Sequence, residues 1–147
     1  MNNKLDPLSV PSTWREFMYD SVLLPFETKG LKTKAGNFDS KVIESSIGLM
    51  ARKIDKLADL QPLESQYKDV SDEFLVFFNP EKGMKSLFER LRDVAAHGHY
   101  GLEKPNWIRI RHRFAYSGKP EATRMFGCLK FQTVKDLVQY LNLAHTT

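Results

Sequence analysis

The most informative stretch of this chain of 147 residues is 88–101, FERLRDVAAHGHYG. Leu91, Val94 and Ala95 lie at helical spacing, and Gly98 is placed to end the helix. Two arginines and two histidines therefore fall on the last turns of a helix or just beyond it. Histidine has an unperturbed pKa near neutrality, and a guanidinium is well shaped for binding phosphate. The stretch indicates acid/base chemistry on a phosphodiester.

The helix that carries this stretch is predicted to run from Pro80 to His97. Asn79-Pro80 is a favourable start, because proline at the first helical position loses no hydrogen bond that the helix would make. On the N-terminal side, a capping box of Thr13 and Glu16 opens a short first helix that Pro25 interrupts. An exposed, lysine-rich connection is expected over 26–38.

A long amphipathic helix is predicted after Asp39, because apolar residues recur at helical period as far as Ala58. Pro62 is expected to end it. Residues 63–78 are interpreted as a further helix, although their apolar residues lack a clean period. The sequence thus predicts helices on both sides of the connection and before the motif.

Beyond Pro105 the apolar period changes to two, which is typical of a strand. The alternation places one set of side chains, Ile108, Ile110, His112 and Phe114, opposite another, Arg109, Arg111 and Arg113. Turn residues and a returning strand over 123–131 complete a β-hairpin, and Thr133 opens a last helix. The predicted fold class is mainly α, a helical bundle with a C-terminal β-hairpin and a final helix. We expect a single domain over 1–147, with a helical core over about 13–101 and the hairpin and last helix over 105–147.

Composition sets the remaining bounds. The excess of 22 Lys+Arg over 18 Asp+Glu gives a formal charge of +4, which permits binding to nucleic acid without requiring it. Cys128 is the only cysteine, which excludes an internal disulfide and a multi-cysteine zinc site and fits a reducing compartment. Neither a signal core nor a membrane-length apolar run is present, so we expect a cytoplasmic protein without a membrane partner.

A ribonuclease that uses no metal needs a base for the ribose 2′-hydroxyl, an acid for the leaving oxygen and a cation for the phosphate. Asp93 and His97 are four residues apart, so the carboxylate is a helical neighbour of the imidazole. Arg92 lies about 140° from His97 around an ideal helix. Their direct cooperation requires either a loosened helix end or a second chain, whereas Arg90 nearly shares the face of His97.

The run Arg92-Asp93-Val94-Ala95-Ala96-His97, followed by Gly98, resembles the motif of the HEPN superfamily. In that motif an arginine and a polar residue precede a histidine by a few positions. The resemblance is to small plasmid-borne bacterial HEPN proteins, and six residues carry it as a motif. It implies a homodimer in which two motifs face each other and act as a metal-independent RNA endonuclease without a cofactor. His97 would be the acid/base, Arg92 the contact to the phosphate and transition state, and Asp93 the residue that positions them.

Several further residues are candidates for supporting roles. His99 and Tyr100 are expected to line the same cleft, and Arg90 to assist. The spacing of the two histidines could also suit a metal, but no cysteine or clear carboxylate set completes a site, so no metal is expected. On the predicted hairpin, three arginines and an indole form a candidate RNA-binding stripe: Arg109, Arg111, Arg113 and Trp107. The plain alternative for the stripe is a solvated outer face.

The leading interpretation is an endoribonuclease that cleaves RNA through attack of the 2′-hydroxyl and leaves a 2′,3′-cyclic phosphate. HEPN proteins commonly act as toxins or in phage defence, so an antitoxin protein is an expected partner. The alternative is a noncatalytic module that binds RNA, a nucleotide or a partner protein. A third interpretation is a structural dimer in which Arg92 is a surface residue, His97 caps a helix and the motif is fortuitous.

Overall fold

The computed structural model describes residues 5–24, 40–67, 71–78, 85–115, 118 and 120–146. Within them the chain forms a five-stranded mixed β-sheet with helices packed on both faces, which is an α+β architecture. The prediction of a mainly α, HEPN-like helical bundle is therefore wrong. The predicted connection over 26–38 and the predicted helix start at Asn79-Pro80 lie outside the described residues.

The elements follow one another from the N-terminus to the C-terminus, starting with a short 3₁₀ turn. They are the turn Pro7–Ser9, α1 Ser12–Phe17 continued by a π-helix Met18–Leu23, α2 Ser40–Ile47, β1 Met50–Ile54, α3 Leu57–Gln66, β2 Phe74–Phe78, α4 Lys85–His97, β3 Tyr100–Lys104, β4 Trp107–Phe114, β5 Ala122–Lys130 and α5 Phe131–Thr146. The strand order is β1-β2-β5-β4-β3. β1 and β2 are parallel, and the other neighbouring pairs are antiparallel.

The C-terminal hairpin and the end of the motif helix were predicted correctly. β4 and β5 pair antiparallel from Trp107 with Lys130 to Phe114 with Ala122, as the alternating pattern indicated. Helix α4 ends at His97, and Gly98 follows it with a φ of 68°. The hairpin was predicted to lie outside a helical core, but it is part of the central sheet, because β5 also pairs with β2.

The long helix predicted over 39–58 is instead helix α2 followed by strand β1. Gly48 separates them: its φ is 80°, and its amide donates a hydrogen bond of 3.0 Å to the carbonyl of Glu44. Glycine adopts this left-handed conformation readily and commonly ends helices. The apolar period continued past this residue in the sequence, which is why the break was missed. Pro62, expected to end a helix, lies inside α3.

Strand β2, with the sequence FLVFF, was predicted to be helical. The first four of its five residues are buried, and β2 lies between β1 and β5. A short continuous apolar run is equally compatible with a buried strand and a buried helical segment, so its period does not decide between them. Strand β3, which was not predicted as regular structure, pairs with β4 at the opposite end of the sheet from β1.

The sheet separates two apolar layers. Helix α3 covers one face through Leu60, which packs with Phe74, Val76 and Phe126. The other face is covered by the remaining helices, and there Trp14 of α1 stacks on Phe131 with ring centroids 4.3 Å apart. Full burial of a large apolar side chain contributes about 1.5–3 kcal/mol, so both layers stabilise the sheet. Among the described helices, none has the length and apolar character needed to cross a bilayer.

Candidate active site

The end of helix α4 brings the motif to the rim of the sheet. Gly98 has a left-handed backbone, and the amide of His99 donates a hydrogen bond of 3.0 Å to the carbonyl of Val94. This hydrogen bond, which spans six residues, satisfies a carbonyl of the last helical turn, and the chain then turns into β3. His97 therefore ends the helix, and His99 stands at the entrance of the strand.

The pairing of β3 with β4 brings a third histidine to this point. Tyr100 is opposite Ile110, and the amide of Arg111 donates to the carbonyl of His99 at 3.2 Å. Every second side chain of β4 points inward. These are Ile108, Ile110 and His112, and each is 1% exposed or less. His112 is thus a polar residue at an inward position of an otherwise apolar row, directly beside His99.

The three imidazoles form a row. The ring centroids of His97 and His99 are 5.7 Å apart, and those of His99 and His112 are 5.1 Å apart. The Nδ1 atoms of His99 and His112 are separated by 2.9 Å, which is a hydrogen-bond distance. The row leads from the exposed end of α4 to the interior of the helix-covered face.

Asp93 lies behind this row. Its Oδ2 is 3.8 Å from His112 Nε2, and its Oδ1 is 3.0 Å from Arg92 Nη1. Among the residues whose side chains the structure describes, Asp93 has no ion pair with His97, the partner that helical spacing indicated. The carboxylate therefore connects the motif arginine to the buried histidine.

The electrostatics keep His112 neutral. Burial, followed by the positive charges of His99, Arg90, His97 and Arg124, lowers its pKa from 6.5 to about 3. Since His112 carries no charge at neutral pH, its contact with Asp93 is not an ion pair there. An uncharged imidazole has one N–H donor and one acceptor nitrogen, so it can link two neighbours.

No family model, curated protein or solved structure matches this chain. The resemblance to the HEPN motif thus stays a prediction that rests on Arg92 to His97 alone. The geometry of the histidine row is the basis for any assignment of function.

Two arginines complete the cationic surroundings. Arg90 Nε donates to the carbonyl of Phe78 at 2.8 Å, and its guanidinium lies 5.6 Å from the centre of the Phe78 ring. The guanidinium of Arg124 lies 5.9 Å from the same ring, and Arg124 is 4% exposed. Arg90 and Arg124 act electrostatically on His112, and Arg92 pairs with Asp93, so the surroundings of the histidine row are rich in positive charge, which favours an anionic ligand.

Neither His112 nor Arg124 was predicted to have a role at the site. A signal for His112 was present, because it interrupts the apolar side of the alternation that predicted β4. No comparable signal marks Arg124, since its approach to the cluster depends on the pairing of β5. Tyr100, a predicted supporting residue, is 4% exposed in the core, where burial raises the pKa of its hydroxyl against the opposing charge of Arg15.

The predicted RNA-binding stripe lies on β4, but its guanidiniums face carboxylates. Arg109 pairs with Glu103 at 2.6 Å, Arg111 with Glu64 at 2.7 Å, and Arg113 with Glu121 at 2.8 Å. The hydrogen bond from Arg109 lowers the pKa of Glu103. The pair therefore stays ionised below the pH range in which glutamate usually titrates. A phosphate would have to compete with these carboxylates for each arginine.

The stripe is also separated from the histidine row. Arg111 reaches Glu64 of α3, whereas His112 points to the face that α4 covers, so the two sets lie on opposite faces of the sheet. Trp107 lies near two lysines, with the ammonium groups of Lys104 and Lys130 at 4.4 and 5.9 Å from its ring centre. RNA on the stripe would have to pass around the β3 edge to reach His97.

A groove of about 720 Å³ is present near Trp107, at the other end of β4 from His112. Its charged lining includes three carboxylates, Glu44, Asp72 and Glu73, against Arg52 and Lys130. This balance suits a polyanion less well than the histidine row does. Within the described part of the chain, no group of three or more histidines, cysteines or acidic residues is arranged to hold a metal ion.

Proposed function

We propose that this protein is a metal-independent RNA endonuclease whose acid/base pair is His97 and His99 of one chain. The observation that carries the proposal is the separation of 5.7 Å between these two rings at the end of α4, beside a cluster rich in arginine. Two imidazoles at this separation are able to serve opposite sides of one phosphodiester. The proposal concerns the chemistry of the site and does not depend on a helical-bundle fold.

The reaction needs no group that the chain lacks. One imidazole takes the proton of the 2′-hydroxyl, the 2′-oxygen attacks phosphorus, and the bond from phosphorus to the 5′-oxygen breaks. The second imidazole donates a proton to that leaving oxygen. The products are a 2′,3′-cyclic phosphate and a 5′-hydroxyl, and exchange with water restores both imidazoles.

Arg92 is proposed as the contact to the phosphate. Its side chain is 29% exposed, and Asp93 holds its guanidinium at 3.0 Å. A positioned guanidinium stabilises the charge that develops on the phosphoryl oxygens, and it does so most effectively when it is held in place before the reaction. Arg90 and Arg124 add positive charge behind the site.

The pairing of His97 with His99 in one chain bears on whether the site needs a dimer. The angle of about 140° between Arg92 and His97 suggested that either a loosened helix end or a second chain completes the site. His99 supplies a second imidazole within the same chain, so two-histidine catalysis does not require a partner copy. A homodimer, a toxin or phage-defence role, and an antitoxin partner remain predictions.

The proposal is tested by incubating the protein with total RNA and with synthetic RNA in excess chelator. His97→Ala, His99→Ala and Arg92→Ala are each expected to lower cleavage by about 100-fold or more, because each removes an acid, a base or a charge contact. Arg52→Ala is the matched control, since it removes an exposed guanidinium from β1 at the opposite edge of the sheet. RNA binding without cleavage by the wild-type protein would favour the noncatalytic module instead.

A further inference from the structure

His112 has no place in the acid/base pair, yet it is the most deeply buried of the three histidines. It is 1% exposed, and each of its ring nitrogens lies near a polar side chain. Nδ1 lies 2.9 Å from His99 Nδ1, and Nε2 lies 3.8 Å from Asp93 Oδ2. These two contacts are the basis for assigning its proton to one of the nitrogens.

An ionised carboxylate only accepts hydrogen bonds, so its field favours the N–H of a neutral imidazole on the nitrogen that faces it. The separation of 3.8 Å exceeds hydrogen-bond length, and Asp93 therefore acts on His112 through its charge rather than through a direct bond. The proton of His112 then resides on Nε2, and its Nδ1 is an acceptor. In the 2.9 Å contact, His99 must consequently be the donor.

We propose that His112 is a positioning residue that fixes the tautomer of His99, with the proton of His99 on Nδ1 and its basic lone pair on Nε2. Asp93 in turn orients His112. The arrangement is similar to that of other catalytic bases that are oriented by neighbouring groups. His99 is the base, His112 fixes its tautomer, and Asp93 orients His112.

The surrounding charges maintain this arrangement. Arg90 and His97 of α4, His99 just before β3 and Arg124 of β5 all oppose a positive charge on His112. A protonated His112 would have donors on both nitrogens and could no longer accept from His99. Because burial and these cations keep His112 neutral, its Nδ1 stays an acceptor across the neutral range.

In the proposed reaction, on which this step rests, the tautomer gives each histidine a separate role. His99 Nε2 is then the atom that takes the proton of the 2′-hydroxyl, and His97 is the acid that protonates the 5′-oxygen. When His99 becomes protonated, its Nδ1–H still donates to His112, so the imidazolium keeps its partner. The tautomer itself does not depend on the activity.

The test is nitrogen-15 NMR of histidine-labelled protein, in which two-bond correlations between ring protons and nitrogens distinguish the two neutral tautomers. We expect His99 of the wild-type protein to carry its proton on Nδ1 above the pH at which it titrates. A proton on Nε2 of His99 would overturn the proposal. This readout requires no variant to fold and no RNA to be cleaved.

Two variants separate positioning from simple packing. His112→Asn retains an acceptor oxygen near the place of Nδ1, and we expect it to preserve the Nδ1–H tautomer and most of the cleavage activity. His112→Leu removes the acceptor, and we expect mixed tautomers of His99 with a loss of at least about tenfold in kcat/KM. An unchanged tautomer in folded His112→Leu would contradict the proposal.

The outcomes distinguish this inference from the proposed function. An Nδ1–H tautomer in a wild-type protein that cleaves no RNA would support the positioning role and reject the nuclease. RNA cleavage by a protein whose His99 carries its proton on Nε2 would support the nuclease and reject the positioning role.

Discussion

His99 and His112 face each other with their Nδ1 atoms 2.9 Å apart, although His99 precedes β3, His112 lies within β4, and their surroundings differ. His99 is partly exposed just before β3, whereas His112 is 1% exposed. The pair connects the interior of the protein to the rim where the motif ends. The burial of His112 predicts that acid destabilises the protein.

The free energy of unfolding should fall as the pH drops below about 6.5. The unfolded chain binds a proton at His112 below that pH, whereas the folded protein keeps His112 neutral until about pH 3. The unfolded state therefore binds more protons in this window, and His112 alone reduces stability by up to about 1.4 kcal/mol per pH unit. Urea denaturation at several pH values measures this slope. His112→Leu should show a shallower slope than the wild-type protein, and parallel curves would contradict the prediction.

Gly98→Ala should destabilise the protein more than Gly48→Ala does. Both glycines have a left-handed backbone, which costs an L-residue about 1–2 kcal/mol. A Cβ at Gly98 would in addition lie 3.0 Å from Cγ of Pro7, whereas a Cβ at Gly48 meets nothing within 4 Å. Urea denaturation of the two variants isolates the contribution of the Pro7 contact. Equal losses would show that this contact adds no strain.

Glu64→Gln should lower stability and raise RNA affinity. Glu64 binds Arg111 through two hydrogen bonds of 2.7 and 3.1 Å, and the pair joins α3 to β4. Because the pair is partly exposed, we expect a loss of about 1 kcal/mol. The released guanidinium should increase the salt slope of RNA binding by about one. Glu16→Gln makes the same charge change at an exposed position of α1. If both variants bind RNA equally, the stripe on β4 is a solvated face.

A mixing experiment distinguishes a single-chain site from one shared between two chains. Inactive Arg92→Ala and His97→Ala chains are combined under conditions that exchange any subunits. A shared site would recover part of the activity, because one of its two copies would contain both native residues. We expect no recovery, since the proposed site takes Arg92, His97 and His99 from one chain. Recovery would contradict the single-chain site and support the site shared between two chains that the HEPN resemblance implies.

Local patterns predicted the parts of the fold that local interactions determine. The end of α4 at His97 follows from Gly98, and the β4–β5 hairpin follows from alternation. The apolar period across 39–58 concealed the break at Gly48, and FLVFF was too short for its period to distinguish strand from helix. The sheet depends on pairing between distant segments, such as Phe74 with Cys128, which periodicity does not encode.

The same distinction applies to the site. Arg92, Asp93 and His97 could be chosen from the sequence because they share one helix. The contact of His99 with His112 requires β3 to pair with β4, and the approach of Arg124 requires the register of β5. The pairing of Arg111 with Glu64 joins residues 47 positions apart, so the stripe could be predicted as a row but not as a row of ion pairs.

End-group analysis of a short RNA cleaved in excess chelator is the sharpest test of the proposed nuclease. We expect fragments ending in a 2′,3′-cyclic phosphate and a 5′-hydroxyl, with no cleavage where the attacking ribose is replaced by 2′-deoxyribose. Intact RNA, or cleavage at the deoxy position, would contradict a histidine-based nuclease at the end of α4.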